Sequence, residues 1–127
     1  MTFSCALRRT LRASMSPSRT TAASTAALAG GLAYFGSHNG KLYAVDARNG
    51  SLAWEFQTPA SKNDPMKIMN PDGSLNQEAF TPVFGDFQDM YIDFHRFVSV
   101  GAIMGSPAIA QGVVFVGSLD GNLYALQ

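Results

Sequence analysis

One phrase of this chain occurs twice. Residues 25–46, TAALAGGLAYFGSHNGKLYAVD, lie without a gap over residues 106–127, SPAIAQGVVFVGSLDGNLYALQ, so that Gly31 meets Gly112 at an offset of 81. Nine of the 22 positions are identical: Ala27, Ala29, Gly31, Gly36, Ser37, Gly40, Leu42, Tyr43 and Ala44 with their partners. Others are conservative, such as Leu28 with Ile109 and Asn39 with Asp120. A repeat constrains a fold more than any single motif. Each copy is one supersecondary unit that cannot bury its apolar face alone, so copies must pack on neighbours.

Each copy reads as short β-strands. In the second, AIA, VVFVGS and NLYAL are runs of β-branched and aromatic residues separated by QG and LDG. Asn39-Gly40 and Asp120-Gly121 are hairpin dipeptides, because Gly accepts positive φ and Asn or Asp tolerates it. Gly36 and Gly117 precede these turns at matching places. Apolar residues on both faces of the hairpin predict a sheet covered on both sides. After the first copy, DARNGSLAWEFQT adds a turn at Asn49-Gly50 and a strand carrying Trp54, the sole tryptophan. The complete copy therefore has four strands: AALA, LAYFGS, KLYAV and SLAWEF. Such four-stranded antiparallel units build β-propellers.

The phrases SPAIAQGVVFVGSLDGNLYAL and VDARNGSLAW resemble the repeats of the pyrroloquinoline-quinone-type (PQQ-like) β-propellers. The family's tryptophan-docking motif falls on Ala44, Asp46, Gly50 and Trp54, with Asn49 where Thr is usual. The resemblance implies an all-β fold, a partial propeller of four-stranded blades with one inserted helix. It implies structural roles for the motif: Gly36, Gly40, Gly117 and Gly121 at repeat turns, and Trp54 docked between blades. Residues 1–23 are then a leader, 24–59 the first repeat, 60–101 an insertion and 102–127 a second repeat without its Trp strand. About three repeats are needed for a stable array. The expectation is a piece of a longer protein, or a chain that assembles with further blades or copies of itself.

The insertion has two parts. Residues 60–82 carry Pro65, Pro71, Pro82 and the turn NPDG, and read as loop. Phe84, Phe87, Tyr91, Phe94 and Val98 then recur at the helical period, joined by Met90 and Phe97. This predicts an amphipathic helix over 86–98 with Asp86 near its N-cap and its aromatic stripe packed on the sheets, the alternative being a docking face for a partner. Asp86, Asp89 and Asp93 share the polar side; they read as a solvated face with Asp93 paired to Arg96, or as a cation site. His95 is expected at the surface or in packing, and His38 in a turn.

Composition narrows the function. The net charge is zero, which gives no reason to expect nucleic acid as a partner. No apolar run approaches the roughly 18 residues of a membrane-spanning helix. The first 30 residues hold Arg8, Arg9, Arg12 and Arg19 and no acid. Phe3, Leu7, Leu11 and Met15 recur every four residues there, so a disordered leader or an organelle transit peptide fits this stretch. Cys5 is the single cysteine, so no intrachain disulfide forms. Phosphate-loop, G-x-S-x-G and H-E-x-x-H motifs are absent.

The resemblance implies two functions. One is a noncatalytic interaction scaffold of the periplasm or cell envelope, similar to the propellers of outer-membrane assembly, with a protein as partner. The other is part of a quinoprotein dehydrogenase acting on alcohols or sugars. That reading brings PQQ and calcium only with a longer parent, since no residue here matches a quinone or calcium ligand. No catalytic, cofactor or metal residue is expected in this chain.

Overall fold

A computed structural model of the chain describes residues 22–79 and 87–127. The leader helix face, Cys5, Phe84 and the Asp86 cap lie outside the described residues. Within them the chain is mostly β, in two antiparallel sheets with few helices.

The first sheet is a meander of β1 (Ala27–Ala29), β2 (Leu32–Gly36), β3 (Lys41–Asp46) and β4 (Leu52–Gln57), paired in that order. Gly40 and Gly50 take φ of +72° and +74° at the two hairpin turns. This is the left-handed region that glycine enters without a Cβ penalty. A bulge between Ala44 and Val45 shifts the β3–β4 register, so that Trp54 opposes Ala44 and Leu52 opposes Val45. The second sheet holds β5 (Ala108–Ala110), β6 (Val113–Gly117) and β7 (Leu123–Leu126). Every strand coincides with a run expected from the repeat, β3 and β4 each reaching one residue further.

Successive side chains alternate between faces, so each strand offers two sets. In the first sheet Tyr34, Leu42 and Ala44 share one face, and Ala33, Phe35, Tyr43 and Val45 the other; both are buried. The first set packs with Val114 and Val116 of β6 and with Ile103 into one core, flanked by Trp54, Phe56, Tyr124 and Leu126. At the offset of 81, Val114, Val116, Tyr124 and Leu126 correspond to Ala33, Phe35, Tyr43 and Val45. The sheets are therefore stacked front to back: one face of the first copy meets the opposite face of the second. The front of the second sheet carries Phe115, Leu123 and Ala125, and there Leu123 is 73% exposed.

Residues 100–103 form a strap between the sheets. Val100, Ala102 and Ile103 are fully buried. The Ile103 N–H donates to the Ser37 carbonyl at 2.9 Å, while the Ala102 carbonyl accepts from the Leu119 N–H at 3.0 Å. One segment thus ties the turn of each copy to the other.

The insertion differs from expectation in two ways. Its first part, read as loop, contains helix α1 (Pro59–Asn63) and a single turn of 3-10 helix at Gln77–Ala79. The signal was present: Thr58 caps α1 by accepting from the Ser61 N–H, and Pro59 sits in the first turn, where its missing N–H costs nothing. Its second part is helix α2 (Phe87–Ser99), with the Asp93–Arg96 ion pair expected from their spacing. The aromatic stripe, however, does not pack into the core. Phe87 is 78% exposed, and Met90, Tyr91 and Phe94 are each more than half exposed. Among the described residues of the stripe, Phe97 stacks on another element, against His38 at 5.2 Å. Helical period locates a stripe but not its partner, and the front-to-back core was already closed by sheet and strap.

Candidate functional site: the strapped turn

The most specific local structure is the hairpin turn that both copies share. Ser37 N–H donates to the Lys41 carbonyl at 3.0 Å, and Ser118 N–H to the Asn122 carbonyl at 3.0 Å. Gly40 N–H reaches the Ser37 carbonyl at 3.3 Å, as Gly121 N–H reaches that of Ser118 at 3.1 Å. Asn39 Oδ1 accepts from Lys41 N–H, and Asp120 Oδ1 from Asn122 N–H. A tyrosine hydroxyl closes each turn: Asn39 Nδ2 donates to Tyr43 at 2.9 Å, and Tyr124 donates to Asp120 Oδ2 at 2.6 Å. The pattern S-x-[N/D]-G-x-x-Y carries the whole arrangement. Sequence reasoning read the Asn-Gly and Asp-Gly dipeptides but missed the part played in the turn by the Ser and Tyr, although they stand in register in both copies.

The charged version of this turn has shifted titrations. Burial pushes Asp120 up, but hydrogen bonds from Tyr124, Ser118 and Asn122 outweigh it and hold the carboxyl below its usual range. Burial and the Asp120 carboxylate together raise Tyr124.

The two turns differ in what lies against them. Thr58 N–H donates to the Gly40 carbonyl at 2.9 Å, and its hydroxyl to the Val100 carbonyl at 3.1 Å. Ser61 Oγ donates to the Asn39 carbonyl at 2.7 Å. A Cβ on Gly36 would collide with the side chain and carbonyl of Ile103, and one on Gly40 with the Val100 carbonyl. At the second turn, Gly117 and Gly121 have open space where a Cβ would stand. The identical glycines of the two copies therefore face an occupied seat and an open one.

The tryptophan-docking residues lie together at the other end of β3 and β4. Asp46 forms an ion pair with Arg48 at 2.8 Å and also accepts the Arg48 N–H, which holds its carboxyl at about 2. Ala44 opposes Trp54, whose ring meets Tyr34 at 5.7 Å between centroids. Gly50 closes the turn through its N–H to the Asp46 carbonyl at 2.8 Å.

Other chemistry is sparse. Among the described residues no three His, Cys, Asp or Glu side chains converge as metal ligands. A shallow cleft of about 440 Å³ lies along α2, lined by Met66, Ala79, Tyr91, Ile92, His95 and Arg96. His95 stacks edge-on against Tyr91 at 4.4 Å there. His38, half-buried against Phe97, is lowered by burial. No helix among the described residues is long and apolar enough to cross a membrane.

Comparison with known proteins adds one match. A family model described as outer membrane protein assembly factor BamB covers residues 8–92, about two thirds of the chain. No curated protein matches.

Proposed function

The chain belongs to the PQQ-like repeat family of outer membrane protein assembly factor BamB, and on that premise we propose that it is a section of a β-propeller. Its work is noncatalytic: a protein-interaction scaffold associated with the cell envelope. Residues 24–59 and 102–127 are its two blades, and 60–101 decorate them. Front-to-back stacking of equivalent sheets carries this reading. It is a heterologous contact that leaves one matching face open at each step, so further blades add in the same sense. The residues given by the family motif support it too, since Gly36, Gly40, Asp46 and Trp54 all have structural neighbours in place. Binding then belongs to open faces and edges rather than to a polar cavity.

The test sets two titrations of the full chain side by side. Extended segments of outer-membrane β-barrel proteins are expected to bind saturably by calorimetry. PQQ with calcium is expected to leave the absorbance of the quinone unchanged. One-to-one quinone uptake that depends on calcium would overturn the scaffold reading in favour of a dehydrogenase section.

A further inference from the structure

Two Asn-Gly pairs close turns in the first sheet, Asn39-Gly40 between β2 and β3 and Asn49-Gly50 between β3 and β4. In such a pair the side-chain amide is open to attack by the following backbone nitrogen, because glycine puts no Cβ in the way. The local bonding of the two pairs is alike. Asn39 Oδ1 accepts from the Lys41 N–H at 3.0 Å, and Asn49 Oδ1 from the Ser51 N–H at 2.8 Å. Each bond curls the side chain toward the glycine peptide and polarises its amide carbon. Both glycine N–H groups also reach a carbonyl, that of Ser37 at 3.3 Å and that of Asp46 at 2.8 Å. Neither feature separates the pairs.

The amide nitrogen separates them. Asn39 is 3% exposed, and its Nδ2 donates to the Tyr43 hydroxyl at 2.9 Å and to the Gly73 carbonyl at 3.3 Å. Losing that nitrogen would strip two acceptors of their donor inside the fold, and water has no way in. Asn49 is exposed, and its Nδ2 has no partner among the described residues. The Asp-Gly pairs at 72–73 and 120–121 close the same ring only by losing water from a neutral carboxyl. Both carboxyls are held below their usual range, Asp72 by its bonds from Ser74 and Asp120 by bonds that outweigh its burial. As carboxylates they are poor electrophiles.

We propose that Asn49 is a site of spontaneous deamidation in the folded chain, and that Asn39 is its protected counterpart. The Gly50 nitrogen gives its proton to solvent and bonds Asn49 Cγ. The Cγ–Nδ2 bond breaks, and the side-chain nitrogen takes up a proton and leaves as ammonia. The five-membered imide then takes up one water. Its hydroxyl adds to either imide carbonyl, and the ring nitrogen regains a proton as its bond to that carbon breaks. The product is aspartate on an unchanged backbone, or isoaspartate with one extra methylene in the main chain. Either sets a second carboxylate near Asp46, which Arg48 already holds. The isoaspartyl link also lengthens the turn between the strands that bring Trp54 opposite Ala44. The modification therefore falls inside the tryptophan-docking motif.

Trypsin cleavage after Arg19, Lys41, Arg48 and Lys62 puts the two asparagines in separate peptides, 20–41 and 49–62. The full chain is incubated at mildly alkaline pH and sampled by mass spectrometry. Peptide 49–62 should gain about one dalton in two chromatographic forms, at a rate roughly tenfold or more ahead of 20–41. In urea, where Asn39 loses its cover, the two peptides should convert at comparable rates. Asn49→Thr cannot form the imide and should keep 49–62 unchanged through the same incubation. Equal gain in the two peptides of the folded chain overturns the proposal. So does no gain in 49–62 over a time in which the urea sample converts. A gain that persists in Asn49→Thr places the event on Gln57 and overturns it as well.

Discussion

Gly36 and Gly117 are one residue of the repeat in two circumstances. Gly36→Ala pushes a methyl into Ile103 in a closed core, which should cost about 1–3 kcal/mol as overpacking. Gly117→Ala meets open space and should change the melting midpoint little. Denaturant titration of the two variants checks the difference, and similar losses would contradict the contact at Gly36. Asp120 gives a pH prediction. Its carboxyl is held below its ordinary range in the folded chain, so the stability it contributes is present above the unfolded value of 3.8 and is lost as pH falls through the lower folded value. Asp120→Asn installs the residue of the first turn and should flatten the stability curve below about pH 4. Unchanged acid sensitivity in that variant would show that Asp120 is not its source. His38 acts at higher pH in the same sense. Burial lowers it, so protonation of the unfolded chain begins to weaken the fold as pH drops below 6.5.

At the scale of elements, α1 and the strap depend on one side chain. Thr58 is fully buried; it caps α1 and donates to the Val100 carbonyl. Thr58→Val keeps the shape, removes both bonds, and should cost about 1–3 kcal/mol, read by thermal unfolding. A loss within error would mean that Val100 is held by packing alone. The strands were legible in the sequence because alternation, turn dipeptides and the repeat all agreed on them. The capped helix at Thr58-Pro59 was hidden by the prolines around it, which read as loop. The stripe of α2 was legible as a stripe and misplaced as core, since amphipathicity does not say which neighbour is free. The strapped turn was half legible. Its glycines are conspicuous in any sequence, but Ile103 and Val100 meet Gly36 and Gly40 across 60 positions or more, and no local pattern announces such a contact.

At the scale of the molecule, the two sheets share one core through Ile103. Ile103→Ala removes a fully buried side chain touching both and should cost about 2–5 kcal/mol. Hydrogen exchange should accelerate together in β3 and β6; acceleration in one sheet only would show that the sheets unfold independently. The open front of the second sheet has a second consequence. Exposed Leu123 beside Phe115 on an unpaired edge favours association. The purified chain should therefore gain mass with concentration in light scattering, and a strictly monomeric, cooperatively melting sample would count against the need for further blades.

The strap also fixes where the intervening segment must return, and this frees its length. Once residues 100–103 are pinned between the two turns, residues looped out ahead of them enter the balance mainly through closure entropy. That cost grows by only about 0.6 kcal/mol for each doubling of a flexible loop. A lineage can lengthen, shorten or exchange the part of the excursion carrying α2 while both sheets keep their places. The exposed aromatic helix is then the most replaceable part of the architecture, and the place where relatives with the same sheets are expected to diverge first.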